Sequence, residues 1–362
     1  MPTLFSPLRV GAIHCPNRIF MAPLTRCRAP GHTPTALMAT HYAQRASAGL
    51  LIAEATMVME GNCAFVSEPG IYSADQVAAW RVVTDAVHAR GGRIFLQLWH
   101  GGRTCHPLLN GGAQPVAPSA LAIVHSKFNS AEGPVAHVVP RALATDEIAS
   151  IIGGFRRAAL NARAARFDGV EVHAANGYLI EQFLRDGSNT RTDQYGGSCE
   201  NRARLLVEIL QAVCDAWDSS RVAVRISPLN PSKDITESDP VTTYSSLVSR
   251  LNEFNLAFLH VMRGDEVARA RIDMVKVIRE RFNGPLVANA GFSAHEAAEA
   301  VSAGGVDAVA FGRPFIANPD LAERIQCGAA WNQANPSTFF THGPTGYTDY
   351  LTLSEIADAR AV

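Results

Sequence analysis

The segment HAANGYL places His173, Asn176 and Tyr178 in one short stretch. An imidazole and a primary amide are two donors able to converge on one carbonyl oxygen, and a phenol is a weak acid able to protonate a neighbouring carbon. A lone histidine is more often structural, but three such groups in one loop favour chemistry. Two further polar residues interrupt apolar runs, Gln97 in IFLQLW and Arg225 in VAVRIS. A primary amide both donates and accepts, which suits the N–H/C=O edge of a heterocycle, and a satisfied core amide gives the same pattern. An arginine in an apolar strand is costly unless it pairs with a structural carboxylate or meets an anion; in the second case it stabilises charge developing on a bound group. Ala290-Gly291-Phe292 and Gly312-Arg313-Pro314 each follow an apolar run. Gly-Arg-Pro alone is also a plain turn, but two glycine turns in succession, with an arginine, point to a phosphate held by backbone N–H groups.

These residues need a frame that brings them together. Eight short apolar runs bounded by turn signals recur along the chain: Ile19 to Pro23, Leu50 to Thr56, Ile94 to Trp99, Gly169 to His173, Val222 to Ser227, Ala257 to Val261, Pro285 to Ala290 and Asp307 to Phe311. Each is followed by a segment of helical period, among them Cys199 to Trp217, Glu266 to Arg281 and Ala294 to Ser302, the last opened by a capping box of Ser293 and Glu296. Eight alternations predict an α/β protein, a closed (β/α)8 TIM barrel with one domain over residues 1–362. The chemistry then belongs at the C-terminal ends of the strands, where the candidates above stand. The first twenty residues predict a hairpin closing the opposite end. Gly101 to Ala142, too long for an ordinary βα loop, predicts an excursion over the catalytic face.

Composition narrows the function further. With 32 basic and 33 acidic side chains the net charge is −1, so neither nucleic acid nor an anionic membrane is an expected partner, and a small neutral substrate fits. The three lysines, Lys127, Lys233 and Lys276, all lie outside the apolar strand runs, which argues against Schiff-base chemistry. Seven scattered cysteines without a C-x-x-C predict neither a disulfide framework nor a zinc or iron–sulfur site. The strand ends do not gather the carboxylates or histidines a divalent metal needs, so no metal is expected. No secretory leader or long apolar stretch is evident, and the expectation is a cytoplasmic protein, a monomer or homodimer. The constellation suits a phosphate-bearing planar cofactor with a carbonyl compound above it. An isomerase or lyase acting on a sugar phosphate would use the same glycine turns.

Over nearly its whole length the sequence resembles the old yellow enzyme family of FMN-dependent ene-reductases. The resemblance is carried by LFSPLRVGAIHCPNRIFMAPLTRCRA, YAQRASAGLLIAEAT, QLWHGGR, FDGVEVHAANGYLIEQFLRDGSNTRTDQYGGSCENRARLL, DAVAFGRPFIANPDL and GYTDY. It implies FMN as bound cofactor and NADPH or NADH as reductant, with electron-poor alkenes reduced in a ping-pong sequence. Thr25 would hydrogen-bond the flavin carbonyl beside its reactive nitrogen, with Pro23, Leu24 and Ala55 along the ring. Gln97 would meet the pyrimidine edge and Arg225 the N1/C2 carbonyl side. Ala290, Gly291, Gly312 and Arg313 would hold the phosphate. His173, also against the cofactor, and Asn176 would bind the substrate carbonyl, and Tyr178 would deliver the proton. Trp99, Phe65 and Phe340 would line the substrate pocket. Thr25 stands where another branch has cysteine. Phe65 and Phe340 stand where tyrosine is common, which implies a more apolar pocket.

Overall fold

Each of the eight apolar runs forms a strand, and the strands pair in chain order into a closed parallel barrel. The structure, a computed structural model, describes residues 1–130 and 132–361; Ala131, inside the expected excursion, and Val362 lie outside the described residues. The barrel strands are β1 (Ile19–Met21), β2 (Leu50–Met57), β3 (Ile94–Trp99), β4 (Gly169–Ala174), β5 (Val222–Ile226), β6 (Phe258–Met262), β7 (Leu286–Asn289) and β8 (Ala308–Phe311). All are covered on both faces, by the barrel interior and by helices, so their sequences read as continuous apolar runs rather than alternating ones. β1 stops short of Pro23. The Ala22 N–H still donates to Phe311 (3.0 Å), but proline has no N–H with which to extend the ladder.

The surrounding helices are α1 (Ala36–Gln44), α2 (Ala74–His88), α3 (Ile148–Ala164), α4 (Cys199–Ala216), α5 (Pro240–Leu251), α6 (Met274–Arg279), α7 (Ala294–Ser302) and α8 (Leu321–Cys327). α4 buries Leu205, Leu206, Ile209, Leu210 and Val213 at helical spacing. α7 opens on the expected capping box of Ser293 and Glu296. The single helix expected over Glu266 to Arg281 is instead two, Glu266–Arg271 and α6. Ile272 between them is extended, and the Asp273 side chain accepts from the N–H groups of Val275 and Lys276, starting a new helix rather than continuing the old one.

At the N-terminal end of the barrel, Leu8–Val10 and Ile13–Cys15 form the expected hairpin. Val10, Ile13 and Cys15 pack there against Phe20, Leu50, Phe95 and Phe258 and seal that end. The excursion after β3 carries a second hairpin, Lys127–Ser130 with Gly133–Ala136. Its Phe128 is buried and stacks on His106 with centroids 4.5 Å apart. Phe128 also shares a cavity with Phe65 and Phe340.

Candidate active site

Toward the C-terminal half of β3 to β6 the strand register sets polar residues side by side in the barrel wall. Gln97 pairs with Glu171, His173 with Arg225, and Arg225 with His260. The fully buried Glu171 accepts from Gln97 Nε2 (2.7 Å) and from His260 Nδ1 (2.7 Å). A carboxylate can only accept, so His260 carries its proton on Nδ1, and burial lowers its pKa. Burial also pulls Arg225 below the usual guanidinium range, while the charge of Glu171 opposes that shift. Arg225 Nε, His260 Nε2 and Asn289 Oδ1 are all buried without a protein partner. Orphaned polar atoms cost about 1–3 kcal/mol each, and several at the mouth of one barrel mark a place for a polar ligand. Gln97, with one N–H spent on Glu171, has its carbonyl and second N–H left for such a ligand.

The loop after β4 orients the donors. Asn176 adopts the left-handed region (φ 59°). The Ala175 N–H donates to His173 Nδ1 (3.2 Å), which leaves the His173 proton on Nε2 as a free donor. Burial, reinforced by Arg225 and Lys233, holds the His173 pKa well below the ordinary imidazole value, so the ring is neutral at pH 7. Asn176 Oδ1 accepts from Asn230 Nδ2 (2.8 Å), which commits the Asn176 NH2 to donation elsewhere. Tyr178 is buried, with Trp99 (4.9 Å) and His173 (5.1 Å) edge-on to its ring. Burial raises its pKa, so the phenol holds its proton at neutral pH. The loop is clamped by buried Glu181, which accepts from the Gly177 N–H (2.6 Å), Ser227 Oγ (2.7 Å), Tyr244 Oη (3.0 Å) and Arg185 Nη2 (2.9 Å).

The two glycine turns meet in a cavity of about 620 Å³ lined by Leu24, Ala290, Gly291, Gly312 and Arg313. Ala290 (φ 82°) and Gly291 (φ 70°) are both left-handed. Their carbonyls are drawn back onto Arg263, to Nε (2.6 Å) and Nη2 (2.5 Å), and that guanidinium lies 3.6 Å over the Phe292 ring. The N–H groups of Gly291, Gly312 and Arg313 have no acceptor among the loop and turn hydrogen bonds. Free N–H groups after strands seven and eight stand where barrels can bind an anion.

The family model for the NADH:flavin oxidoreductase / NADH oxidase family matches residues 3–332. The chain belongs to this family. A probable flavin mononucleotide-dependent alkene reductase of Leishmania infantum is 49% identical, with 96% of each chain covered. The solved structure of morphinone reductase in complex with tetrahydroNAD superposes with a TM-score of 0.92 at 45% identity, covering 98% of each chain. The old yellow enzyme homologue of Zymomonas mobilis superposes at 0.93 with 42% identity, covering 97% of this chain and 100% of that one.

FMN, the cofactor of this flavin oxidoreductase family, fits the residues present. The turns after β7 and β8 offer free N–H groups to a phosphate, and Arg225 offers a buried guanidinium with an unpartnered Nε to an electron-rich ring edge. Leu24 lines the same cavity as the two glycine turns. Pro23 and Thr25 flank it in sequence just after β1. Ala55 lies where the β2–β3 register shifts between Ala53 and Thr56, an irregularity that re-aims side chains at a barrel rim. Trp99, Tyr178, Phe65 and Phe340 form an aromatic run, with Phe65 6.3 Å from Trp99 and stacked 6.1 Å from Phe340. Sequence reading does not single out Glu171, His260, Asn230 or Arg263. The first two carry the signal that marked Gln97 and Arg225, a polar residue inside an apolar strand; the others act through partners distant in sequence.

Proposed function

We propose that this chain reduces the C=C bond of α,β-unsaturated carbonyl compounds, and also accepts maleimides and nitro compounds, with NADPH or NADH as reductant in a ping-pong sequence. The observation that carries this reading is that two neutral donors of one loop, His173 Nε2 and the Asn176 amide, are each left free by a partner on their other polar atom, next to a protonated buried phenol. FMN, when bound, would supply the hydride chemistry that links the nicotinamide to the alkene. His173 and Asn176 hold the substrate carbonyl oxygen, where negative charge accumulates as hydride arrives, so their hydrogen bonds strengthen in the transition state. Tyr178 donates its proton to the α-carbon and recovers one from solvent. With FMN bound, Arg225 would stabilise negative charge on the ring, Gln97 would pair with its polar edge, Thr25 would hydrogen-bond a ring carbonyl, and Pro23, Leu24 and Ala55 would pack along it. Ala290, Gly291, Gly312 and Arg313 hold the phosphate. Trp99, Phe65 and Phe340 shape the apolar walls around the alkene.

We further assign residues 1–362 to one domain, acting as a monomer or homodimer. No helix among the described residues is long and apolar enough to cross a membrane. All seven cysteines are free thiols, which supports a cytoplasmic location. The test is anaerobic: the purified protein should show flavin absorption, bleach with NADPH or NADH, and recover its colour on adding 2-cyclohexenone. A protein without flavin bands that takes up no added FMN would overturn the reading, as would a reduced flavin that no enone, maleimide or nitro compound reoxidises.

A further inference from the structure

The near-zero net charge hides a local asymmetry. Two of the three lysines in the whole chain, Lys127 and Lys233, line one cavity of about 340 Å³, together with His137 and the apolar Phe65, Phe128 and Phe340. Among the described residues no aspartate or glutamate lines it. Lys233 Nζ lies 4.1 Å from the centroid of the Tyr178 ring, so the ammonium stands beside the reacting groups themselves. It donates to the Asn176 carbonyl (2.8 Å) and to Ser232 Oγ (3.4 Å), both neutral acceptors. The acids near it are committed elsewhere: Asp234 accepts from the N–H groups of Val124 (2.5 Å) and His125 (2.9 Å), and Glu181 is paired with Arg185.

The position is built rather than incidental. Lys233 and Asp234 both adopt left-handed backbone conformations (φ 62° and 55°), which side-chain-bearing residues keep only where their surroundings hold them. Arg103 does so by donating to both carbonyls (2.9 and 3.1 Å). The loop also docks tightly against the catalytic turn, because a Cβ on Gly177 would lie 2.8 Å from the Ser232 carbonyl oxygen. Burial brings the Lys233 pKa down to about 8, so the ammonium persists at neutral pH. A partly buried cation whose hydrogen-bond acceptors are all neutral is costly and is relieved by an anionic ligand.

We propose that Lys233, with Lys127 and His137 at the outer rim, forms a carboxylate subsite, and that alkenes bearing a carboxylate close to the conjugated C=C bond are preferred substrates. This rests on the reductase reading above. The choice of a substrate carboxylate over a phosphate of the reductant follows from place. Lys233 sits against the proton-donating phenol, whereas a ribose separates the nicotinamide ring from its first phosphate.

The test compares 4-oxopent-2-enoate with its methyl ester, titrated into the oxidised holoenzyme and followed by the flavin absorption change. The carboxylate should bind at least tenfold more tightly than the ester. Lys233→Met should erase that ratio and Lys233→Arg should preserve it; because the ratio is the readout, a general loosening of the pocket cancels. Equal affinities in the wild type, or a ratio that survives Lys233→Met, would overturn the proposal. So would a Lys233→Met variant whose only loss is a raised KM for NADPH, which would assign the cation to the reductant. Reduction of 2-cyclohexenone by the wild type, measured alongside, judges the reductase reading independently of this ratio.

Discussion

Asn176 can act as a donor only while its amide is kept from turning, and the group that keeps it is Asn230, through the 2.8 Å bond to Asn176 Oδ1. Asn230 is fixed in turn by the Ser232 N–H on its own Oδ1 (3.2 Å). Asn230→Ala should therefore lower kcat/KM for 2-cyclohexenone about tenfold, the equivalent of about 1.4 kcal/mol for one oriented hydrogen bond. Stopped-flow reoxidation of the reduced enzyme reads this directly, with flavin content as the control for folding, and a wild-type rate would remove Asn230 from the orienting role. His173 needs no such outside partner, since the Ala175 N–H on its Nδ1 comes from its own loop. The difference bears on what a sequence discloses. His173, Asn176 and Tyr178 were legible because they share one stretch, whereas Asn230 lies 54 residues from the side chain it orients. Arg103 likewise holds the Lys233 loop from 130 residues away. Pairings of that kind depend on the closed barrel and leave no local pattern.

At the scale of elements, the eight strands were legible because burial on both faces writes each as a short apolar run. The same signal, a polar residue within such a run, found Gln97 and Arg225, and it is also present at Glu171 in GVEVH and His260 in AFLHV. What it does not supply is register: only when β3, β4, β5 and β6 are aligned does Glu171 become the shared acceptor of Gln97 and His260. Helix boundaries were less legible, because an N-capping aspartate such as Asp273 interrupts a helical period without disturbing it. The turn after β7 shows one element holding another. Arg263, one residue beyond the end of β6, bonds the carbonyls of Ala290 and Gly291 and so fixes which way the turn presents its N–H groups. Arg263→Ala should release that turn and weaken FMN binding by about 10- to 100-fold, since hydrogen bonds from a charged donor contribute about 1.5–3 kcal/mol each. Recovery of free FMN fluorescence on serial dilution measures the change, and an unaltered dissociation constant would mean that the turn holds its shape without Arg263.

For the whole molecule, a polar mouth set into an apolar barrel leaves many titratable groups out of water, and their signs predict how stability varies with pH. Burial holds His41 and His173 well below the usual imidazole range, brings His100 down to about 4 and lowers His260. In the unfolded chain each takes up a proton near pH 6.5. Below that value the unfolded state binds more protons than the folded one, so these four groups remove stability as the pH falls. Glu54 and Glu68 act in the opposite sense. Burial raises them from 4.5 to about 7 and about 8, so between 8 and 4.5 the folded state binds more protons and stability is gained as the pH falls. From pH 8 to about 6.5 the glutamates act without opposition from the imidazoles; below about 6.5 the imidazoles, joined by His137, outweigh the raised carboxyls, to which Glu237 and Glu323 add smaller shifts. The urea midpoint of the holoenzyme should therefore rise modestly from pH 8 to a maximum near 6.5 and then decline toward pH 5. Free FMN must be held constant, because bound ligand adds its own stabilisation. A midpoint still climbing at pH 5 would mean that the buried imidazoles are not held neutral, and the assignment of His173 as a neutral Nε2 donor would fall with it.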